Sequence, residues 1–583
     1  MGIPSGEPNV LGNTDLTSFD AIVIGSGAGG ATAAHVLASH GRKVLVFEAG
    51  DNYFPGLDDP GADQPVPLFS NDELKLSIRD LISADALVDP RTFRPNEEAG
   101  ARTQTGDING LPKTVGGGAV HADMKFPRFQ EADFHLASLV GEVAGANFAD
   151  WPLTYEELEP FYTEAETLVG VQGKVDSDPF GPPRSGPYPM EPGVPMYSAL
   201  VLAEGATKQG YHPFPYPTAV NSRPYRGRPA CVDCGFCSGY GCPNNSKGSP
   251  AVTFLREALL TENCQLRFNS PVARLISNGG KTRITAVEYI DPDGRRQRAK
   301  ADIVVLATSP IEDARLCFLS DLEGTGLGNS SGLVGRNLMF HFQTTAVGLY
   351  PQRLHGHRGR SVTHGMSDFR GVPGDAERPL GGIIEFGAAN EAIFEAQTYA
   401  FSMGQKGKML QEMMRQSPFR DHLAVLTMQA EDAPQLTNYV DLDPDVRDAN
   451  GLPVARITYE NHDFELSARE FYSPKMLEIH KAAGAQFAFI APADEPASSR
   501  HIMGTLRMGD DPNASVCDRY GKFHNMENLY CTDGAVFASA SGFNPTLTIH
   551  TLALRSAGNV VFPGNPERVL TNGAGSDNGK GGQ

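Results

Sequence analysis

Three groups of residues have types and spacings suited to chemistry. The first is Gly25-Ser26-Gly27-Ala28-Gly29-Gly30, followed eighteen residues after Gly30 by Glu48. In such a pattern Gly25 permits a tight turn and Gly27 lets the backbone approach a pyrophosphate. Gly30 lets a helix pack closely on a sheet, and Glu48 is placed to accept hydrogen bonds from a ribose diol. The second group is His501 in RHIMGTLRMG and Asn544 in SGFNPTLTIHTL. A histidine has its pKa near working pH and suits a general base, provided it lies within hydrogen-bond reach of the proton it removes. The bland alternatives are a satisfied core histidine and a helix cap at Asn544, with Pro545 as first helical residue.

The third group is Cys231, Cys234, Cys237 and Cys242, four of the eight cysteines, followed by Pro243. Gaps of two, two and four residues suit an iron–sulfur cluster, although ferredoxin-type runs close with a gap of three. Structural zinc, and disulfides or free structural cysteines, are the alternatives. Gly235, Gly239 and Gly241 would let the loop curl with N–H groups toward sulfur. The isolated Cys264, Cys317, Cys517 and Cys531 read as small buried hydrophobes.

These groups need elements to hold them. Asp20 to Gly25 (DAIVIG) and KVLVFEAG read as buried parallel strands around an Ala-rich helix that stops at Gly41. Residues 51 to 114 are Pro/Gly/Asp-rich and suggest long excursions over the nucleotide site. Gly116, Gly117 and Gly118 form a turn that lets backbone pass against a flat ring or phosphate. Pro152 to Leu168 reads as a capped amphipathic helix region, and Gly173 to Pro229 as irregular. Val252 to Leu260 reads as helix and Gln265 to Phe268 as a strand. Thr285 to Asp291 with Arg298 to Leu306 reads as a hairpin feeding a buried strand. Strand-like runs at Phe340 to Leu349, Gly382 to Gly387, Leu423 to Ala430 and Ala455 to Tyr459 suit an antiparallel floor of a substrate lobe. Asn528 to Phe537 reads as strand-like. Met190 to Tyr197 and residues 383–394 are candidate pocket walls, with Phe386 and Phe394 read as core.

The 583 residues suit two joined domains, and 40% apolar with 20% charged residues is a globular composition. Lys plus Arg total 49 against 69 Asp plus Glu, a net charge of −20, which argues against nucleic acid as a partner. No apolar run is long enough to span a bilayer, so no transmembrane segment is expected. No signal peptide is recognisable, and a cytoplasmic location is the default, with export beside a signal-bearing partner as the alternative.

Taken together, the motifs resemble the glucose-methanol-choline (GMC) oxidoreductase family. The matching pieces are GSGAGG with Glu48, KTVGGGAVHADMKFPRF, DWPLTYEELEPFYTEAE, GLVGRNLMFH, RHIMGTLRMG, and NLYCTDGAVF with GFNPTLTIHTLALR. They span residues 19 to 560. The resemblance implies an α/β fold: a doubly wound FAD domain interleaved with a substrate domain on a mostly antiparallel sheet. The expected divisions are FAD-binding residues 19–150, 251–340 and 496–565, substrate-side residues 151–250 (cysteine loop 231–242) and 341–495, and a disordered tail at 570–583.

The resemblance also implies oxidation of an alcohol, with His501 taking the hydroxyl proton, Asn544 bonding the same oxygen, and hydride passing to flavin N5. Gly25, Gly27, Gly30, Glu48, Gly116, Gly117, His121, Asp533, Pro545 and Thr546 are the expected FAD contacts. The segment Gly116 to Phe129 resembles pyranose oxidase, which makes a covalent His121–FAD bond or a non-covalent contact the two leading readings. Here Ala122 stands where a tryptophan usually follows. The substrate expected is a sugar, glycoside or polyol, with aliphatic or aryl alcohols as the alternative. The electron acceptor would be a cytochrome, a quinone, a small subunit or O2. An NAD(P)-linked enzyme and a non-catalytic flavin electron-transfer subunit are the competing readings.

Overall fold

The computed structural model describes residue 16 and residues 19–68, 90–104, 112–235, 237–375, 377–387, 399–400, 403–417, 419–493 and 499–572. Residues 388–394 of the candidate pocket wall, Phe394 included, and the tail from 573 onward lie outside the described residues.

The first strand, Phe19–Ile24, leads through the glycine loop into the helix Ala28–Ser39 and the strand Val44–Phe47. These belong to a five-stranded parallel sheet in the order Leu529–Cys531, Ala301–Leu306, Phe19–Ile24, Val44–Phe47, Cys264–Arg267. Ala21 to Ile24 and Val44 to Phe47 are buried, as continuous apolar strands covered on both faces must be. The carboxyl ends of the strands open into one cavity, reached by Ile24, Phe47 and Ala307. That is where open α/β sheets bind ligands.

Helix Thr546–Val561 lies across helix Ala28–Ser39. The Thr32 hydroxyl donates to Ala28 O at 2.8 Å and so accepts from His550 Nδ1 at 2.7 Å. Tyr162, on helix Tyr155–Val169, bonds Thr548 at 2.8 Å. That helix starts as its sequence asks, with Thr154 and Glu157 in a reciprocal capping box, and ends at Gly170 with φ +83°.

A six-stranded antiparallel sheet runs Phe487–Ile490, Phe342–Leu349, Leu423–Ala430, Gly382–Phe386, His364–Met366, Phe214–Pro215. One face packs Phe342, Ala346, Ile384, Phe386, Leu426 and Met428 against Tyr472, Met476 and Ile479 of helix Asp463–Ala482. Strand alternation turns Gln343 and Gln429 the other way, into the cavity.

Four details depart from the sequence expectations. Ala455 to Tyr459 does not join the floor: strand Pro453–Thr458 pairs with Tyr439–Arg447 and, in parallel, with Arg91–Arg94. Alternating apolar residues define a strand but do not choose its neighbour. The run Arg298 to Leu306 divides at Lys300, its first part pairing with Ile284–Ile290 and its second entering the parallel sheet. The strand in Asn528 to Phe537 is confined to Leu529–Cys531, and Gly534–Val536 forms a 3₁₀ turn. Residues 570–572 close a 3₁₀ helix, Pro566–Asn572, instead of opening a tail. Among the described residues no helix is long and apolar enough to cross a membrane.

Candidate active site

A single cavity of about 1090 Å³ runs from the glycine loop to His501 and Asn544. Gly25, Gly27, Glu48, Gly117, His121, Asp533, Pro545 and Thr546 also line it. Gly30 and Gly116 do not. A Cβ on Gly30 would stand 2.0 Å from Gly25 O, so its smallness serves helix–sheet packing. Gly116 N donates to Ser26 Oγ at 2.9 Å and ties the two glycine loops together. At Gly117, φ is +62° and a Cβ would meet Gly27 Cα at 2.8 Å.

Glu48 accepts from Ser26 Oγ at 2.6 Å, Ser26 N at 3.1 Å and Gly50 N at 2.9 Å, and burial raises its pKa. Asp533 accepts from Ser309 N at 2.7 Å and Ala535 N at 2.9 Å. Burial raises the pKa of both Asp533 and its neighbour Asp313. A bare helix N-terminus at Ala28, an acid at the second strand end and a wall of glycine backbone fit a dinucleotide.

At the far end, Met339 and Met503 exchange both backbone hydrogen bonds at 2.9 Å. Two residues along each segment from that antiparallel bridge, His341 and His501 stand side by side. Ser499 Oγ accepts from the backbone N–H of both, at 3.1 and 3.0 Å. His341 Nε2 donates to Ala540 O at 3.1 Å, so its Nδ1 is the acceptor. His501 Nδ1 then carries the proton it donates to His341 Nδ1 at 2.9 Å. This pattern assigns the free lone pair of the His501 ring to Nε2. Burial, His341 and Lys125 hold the His501 pKa well below 6.5. Burial brings His341 to about 4.

Asn544 is not a helix cap. Pro545 flanks the helix with no side-chain capping bond, and the helix begins at Thr546. The Asn544 amide points elsewhere: Tyr216 OH donates to its Oδ1 at 2.6 Å, and its Nδ2 donates to Glu385 Oε1 at 3.1 Å. Burial keeps Tyr216 protonated, far above the usual phenol range. Glu385 also accepts from Lys125 Nζ at 2.6 Å and Gln429 Nε2 at 3.2 Å, and Gln343 Nε2 donates to Gln429 Oε1 at 3.0 Å. Burial opposes the Lys125 charge, but Asp123, at 2.9 Å, and Glu385 more than offset it.

Asp123, Lys125, Gln343, Gln429 and Arg500 therefore form a polar wall beside the pair. Sequence reasoning did not find this wall. Its one usable signal was a polar residue facing away from each strand's apolar face. The expected wall at Met190 to Tyr197 does not line the cavity: Met190 and Met196 are buried in packing, and Phe386 is core as read.

His121 is buried, lines the cavity, and is brought to about pKa 3 by burial, Lys247 and Arg500. The cysteine loop lies directly on it. Gly239 N donates to His121 O at 3.1 Å, and buried Lys247 donates to Ala122 O, Cys237 O and Tyr240 O at 2.9, 2.6 and 2.8 Å. Ser238, Gly239 and Tyr240 reach the cavity, whereas the four thiols do not line it. All are free, so no disulfide joins them. Among the described residues they do not form a ligand set within 4.8 Å, as a single zinc ion would require. Burial raises Cys231 to about 11 and Cys237 to about 12. Cys264, Cys317, Cys517 and Cys531 are buried as expected.

Comparison with known proteins gives the class. The family model described as GMC oxidoreductase matches residues 112–343 and 434–553, and an NAD(P)-binding Rossmann-like domain matches 23–57. The chain is 30% identical to 2-methyl-1,2-propanediol dehydrogenase of Mycolicibacterium austroafricanum, over 93% of this chain and 95% of that one. It is 29% identical to the fructose dehydrogenase large subunit of Gluconobacter japonicus, over 94% and 98%. The structure of pyridoxine 4-oxidase from Mesorbium loti shares the fold, with a TM-score of 0.60, 14% identity, and 92% and 98% of the two chains covered. The chain belongs to the GMC oxidoreductase family. It is an FAD-dependent alcohol or sugar oxidoreductase on a doubly wound α/β fold.

Proposed function

We propose that the chain oxidises one hydroxyl group of a sugar, glycoside or polyol. The observation that carries this reading is the junction, in one cavity, of the His501–Asn544 pair with a wall of amide and charged side chains. His501 Nε2 would take the hydroxyl proton. The Asn544 Nδ2 hydrogen not bonded to Glu385 would donate to the same oxygen. Both contacts strengthen as that oxygen gains negative charge, which is how they would favour the transition state over the bound alcohol. Gln343, Gln429 and Lys125 offer donors and acceptors to further hydroxyls, which a simple aliphatic or aryl alcohol would leave unpaired. FAD, when bound, supplies the hydride acceptor. Gly25, Gly27, Gly117, Glu48, Asp533, Pro545 and Thr546 would hold it, with Gly30 and Gly116 packing the two loops around it.

The test is anaerobic mixing with a panel of alcohols, polyols and sugars while the flavin spectrum is recorded. His501→Ala should keep FAD and slow reduction about 10²- to 10⁴-fold, the usual worth of a positioned base. Unchanged reduction would remove His501 from the chemistry and favour an electron-transfer role. Faster reduction by simple alcohols than by polyols would return the substrate to the aliphatic or aryl class.

On the same reading the flavin ring would lie against His121, whose imidazole burial, Lys247 and Arg500 keep neutral and so able to act as a nucleophile. Acid precipitation separates a covalent bond, which gives a yellow pellet, from a contact, which gives a white one. Iron and acid-labile sulfide analysis decides between an iron–sulfur group on Cys231, Cys234, Cys237 and Cys242 and plain thiols. The cysteine loop forms the cavity wall beside His121, which supports it as the side from which electrons leave to a cytochrome, quinone or small-subunit acceptor; O2 is the alternative. The relative named as a large subunit works with other subunits, and the same arrangement is proposed here. The FAD-binding part would comprise residues 19–150, 251–340 and 496–565, and the substrate part 151–250 and 341–495.

A further inference from the structure

Against the start of the cysteine loop, two segments bring together a ligand set that the proposed oxidation chemistry does not use. His355 and His357 follow strand Phe342–Leu349, and Asp421 precedes strand Leu423–Ala430. These strands are antiparallel neighbours with Leu349 opposite Leu423, so the sheet itself holds the two segments together. One ligand atom from each of His355, His357 and Asp421 lies within 4.8 Å of the other two. His357 Nδ1 contacts Asp421 Oδ1, and the two imidazole centroids are 6.0 Å apart. Both histidines are exposed, and none of the three residues lines the flavin cavity.

An ordinary His–Asp ion pair would account for His357 and Asp421 alone. It leaves unexplained why His355 brings a third ligand atom to the same point. His355 and Asp421 both take left-handed backbone conformations, with φ of +56° and +64°, a region that aspartate and histidine enter more readily than most non-glycine residues. The Leu354 N–H donates to Asp421 O, and buried Leu354 anchors the turn. Two imidazoles and a carboxylate are the donor set of a borderline divalent ion, with bonds of about 2.0–2.2 Å and water completing the shell.

We propose that His355, His357 and Asp421 bind one divalent first-row transition ion of the zinc type. The ion would replace the His357–Asp421 contact and join the two segments through their side chains. It would also brace the cysteine loop, because Gly359 N donates to Asp233 O at 3.2 Å and Cys234 forms a bridge with Gly359. A Cβ on Gly235 would stand 2.2 Å from His357 O, so the two loops are in direct backbone contact.

The test uses the full-length flavin-loaded protein, stripped with chelator and dialysed against micromolar zinc chloride. Wild type should hold one zinc more per chain than the H355A/H357A double variant, both retaining whatever the cysteine loop binds. D421N should weaken that extra zinc about tenfold or more. Flavin reduction should not change in the double variant. A second measurement needs no variant: zinc should protect His355 and His357 of wild type from diethylpyrocarbonate several-fold, read by peptide mass. Equal zinc content in wild type and double variant, or carbethoxylation of both histidines unaffected by zinc, would overturn the proposal and leave an ion pair only.

Discussion

At the residue scale the site is governed by which nitrogen holds which proton. His341 does not line the cavity; on the proposed mechanism it would act through His501, as a positioning residue. Its Nε2–H is committed to Ala540 O, and that commitment directs the His501 lone pair outward. The depressed His501 pKa sets the sign of the pH response. As the proposed base, His501 would be neutral and competent above its pKa and shut by protonation as pH falls through it. The rate of flavin reduction is therefore expected to stay flat as pH drops through 6.5, the ordinary histidine value, and to fall only in more acidic solution. His341→Ala removes both the acceptor and a group that depresses the His501 pKa. Stopped-flow pH profiles should show a rate about 10²-fold lower and an acid limb displaced to higher pH. A slower rate with an unmoved limb would make His341 merely structural.

At the element scale, two loops that are distant in sequence line the proposed cofactor end of the cavity. The Gly25–Gly30 turn and the Gly116–Gly118 turn touch at Gly27 and Gly117, where a methyl group on Gly117 would stand 2.8 Å from Gly27 Cα. Gly117→Ala adds that methyl group in a left-handed conformation as well, and such a change costs more than 1 kcal/mol even where space exists. The variant should fold with native far-UV circular dichroism and carry much less FAD, measured as the 450 to 280 nm absorbance ratio after gel filtration. Full FAD content would show that the two turns yield more easily than their spacing suggests. The GSGAGG turn was legible because its chemistry is local: strand, glycines, helix and acid all lie within thirty residues. The polar wall was not, because Lys125, Gln343 and Gln429 lie on segments remote from one another in the chain and meet only through sheet pairing and the Lys125–Glu385 salt bridge.

At the scale of the whole molecule, buried side chains join the proposed nucleotide and substrate parts. Trp151, the only tryptophan, is buried among Phe129, Phe134 and Phe537 and donates to Ser539 Oγ at 2.8 Å. Nearby, Arg370 pairs with Asp133 and with Glu431 at 2.9 Å, and Ser541 Oγ donates to Asp133 at 2.8 Å. Such a junction is expected to unfold as one unit with the cofactor site. Heating should make the shift in tryptophan fluorescence and the release of flavin fluorescence coincide in temperature. Two separated transitions would mean that the parts come apart before either unfolds.

What the sequence determined by itself was everything fixed by neighbours along the chain: the dinucleotide unit, the capping of helix Tyr155–Val169, and the choice of His501 and Asn544 as candidates. Those features depend on backbone conformation and spacing, which a short stretch of residue types dictates. Tertiary structure alone decided that Asn544 bonds Tyr216 and Glu385 and leaves the helix uncapped, that His341 faces His501, and that strand Pro453–Thr458 pairs with Arg91–Arg94. Each depends on register and packing between remote segments, and residue types fix an element's buried face without fixing what is buried against it.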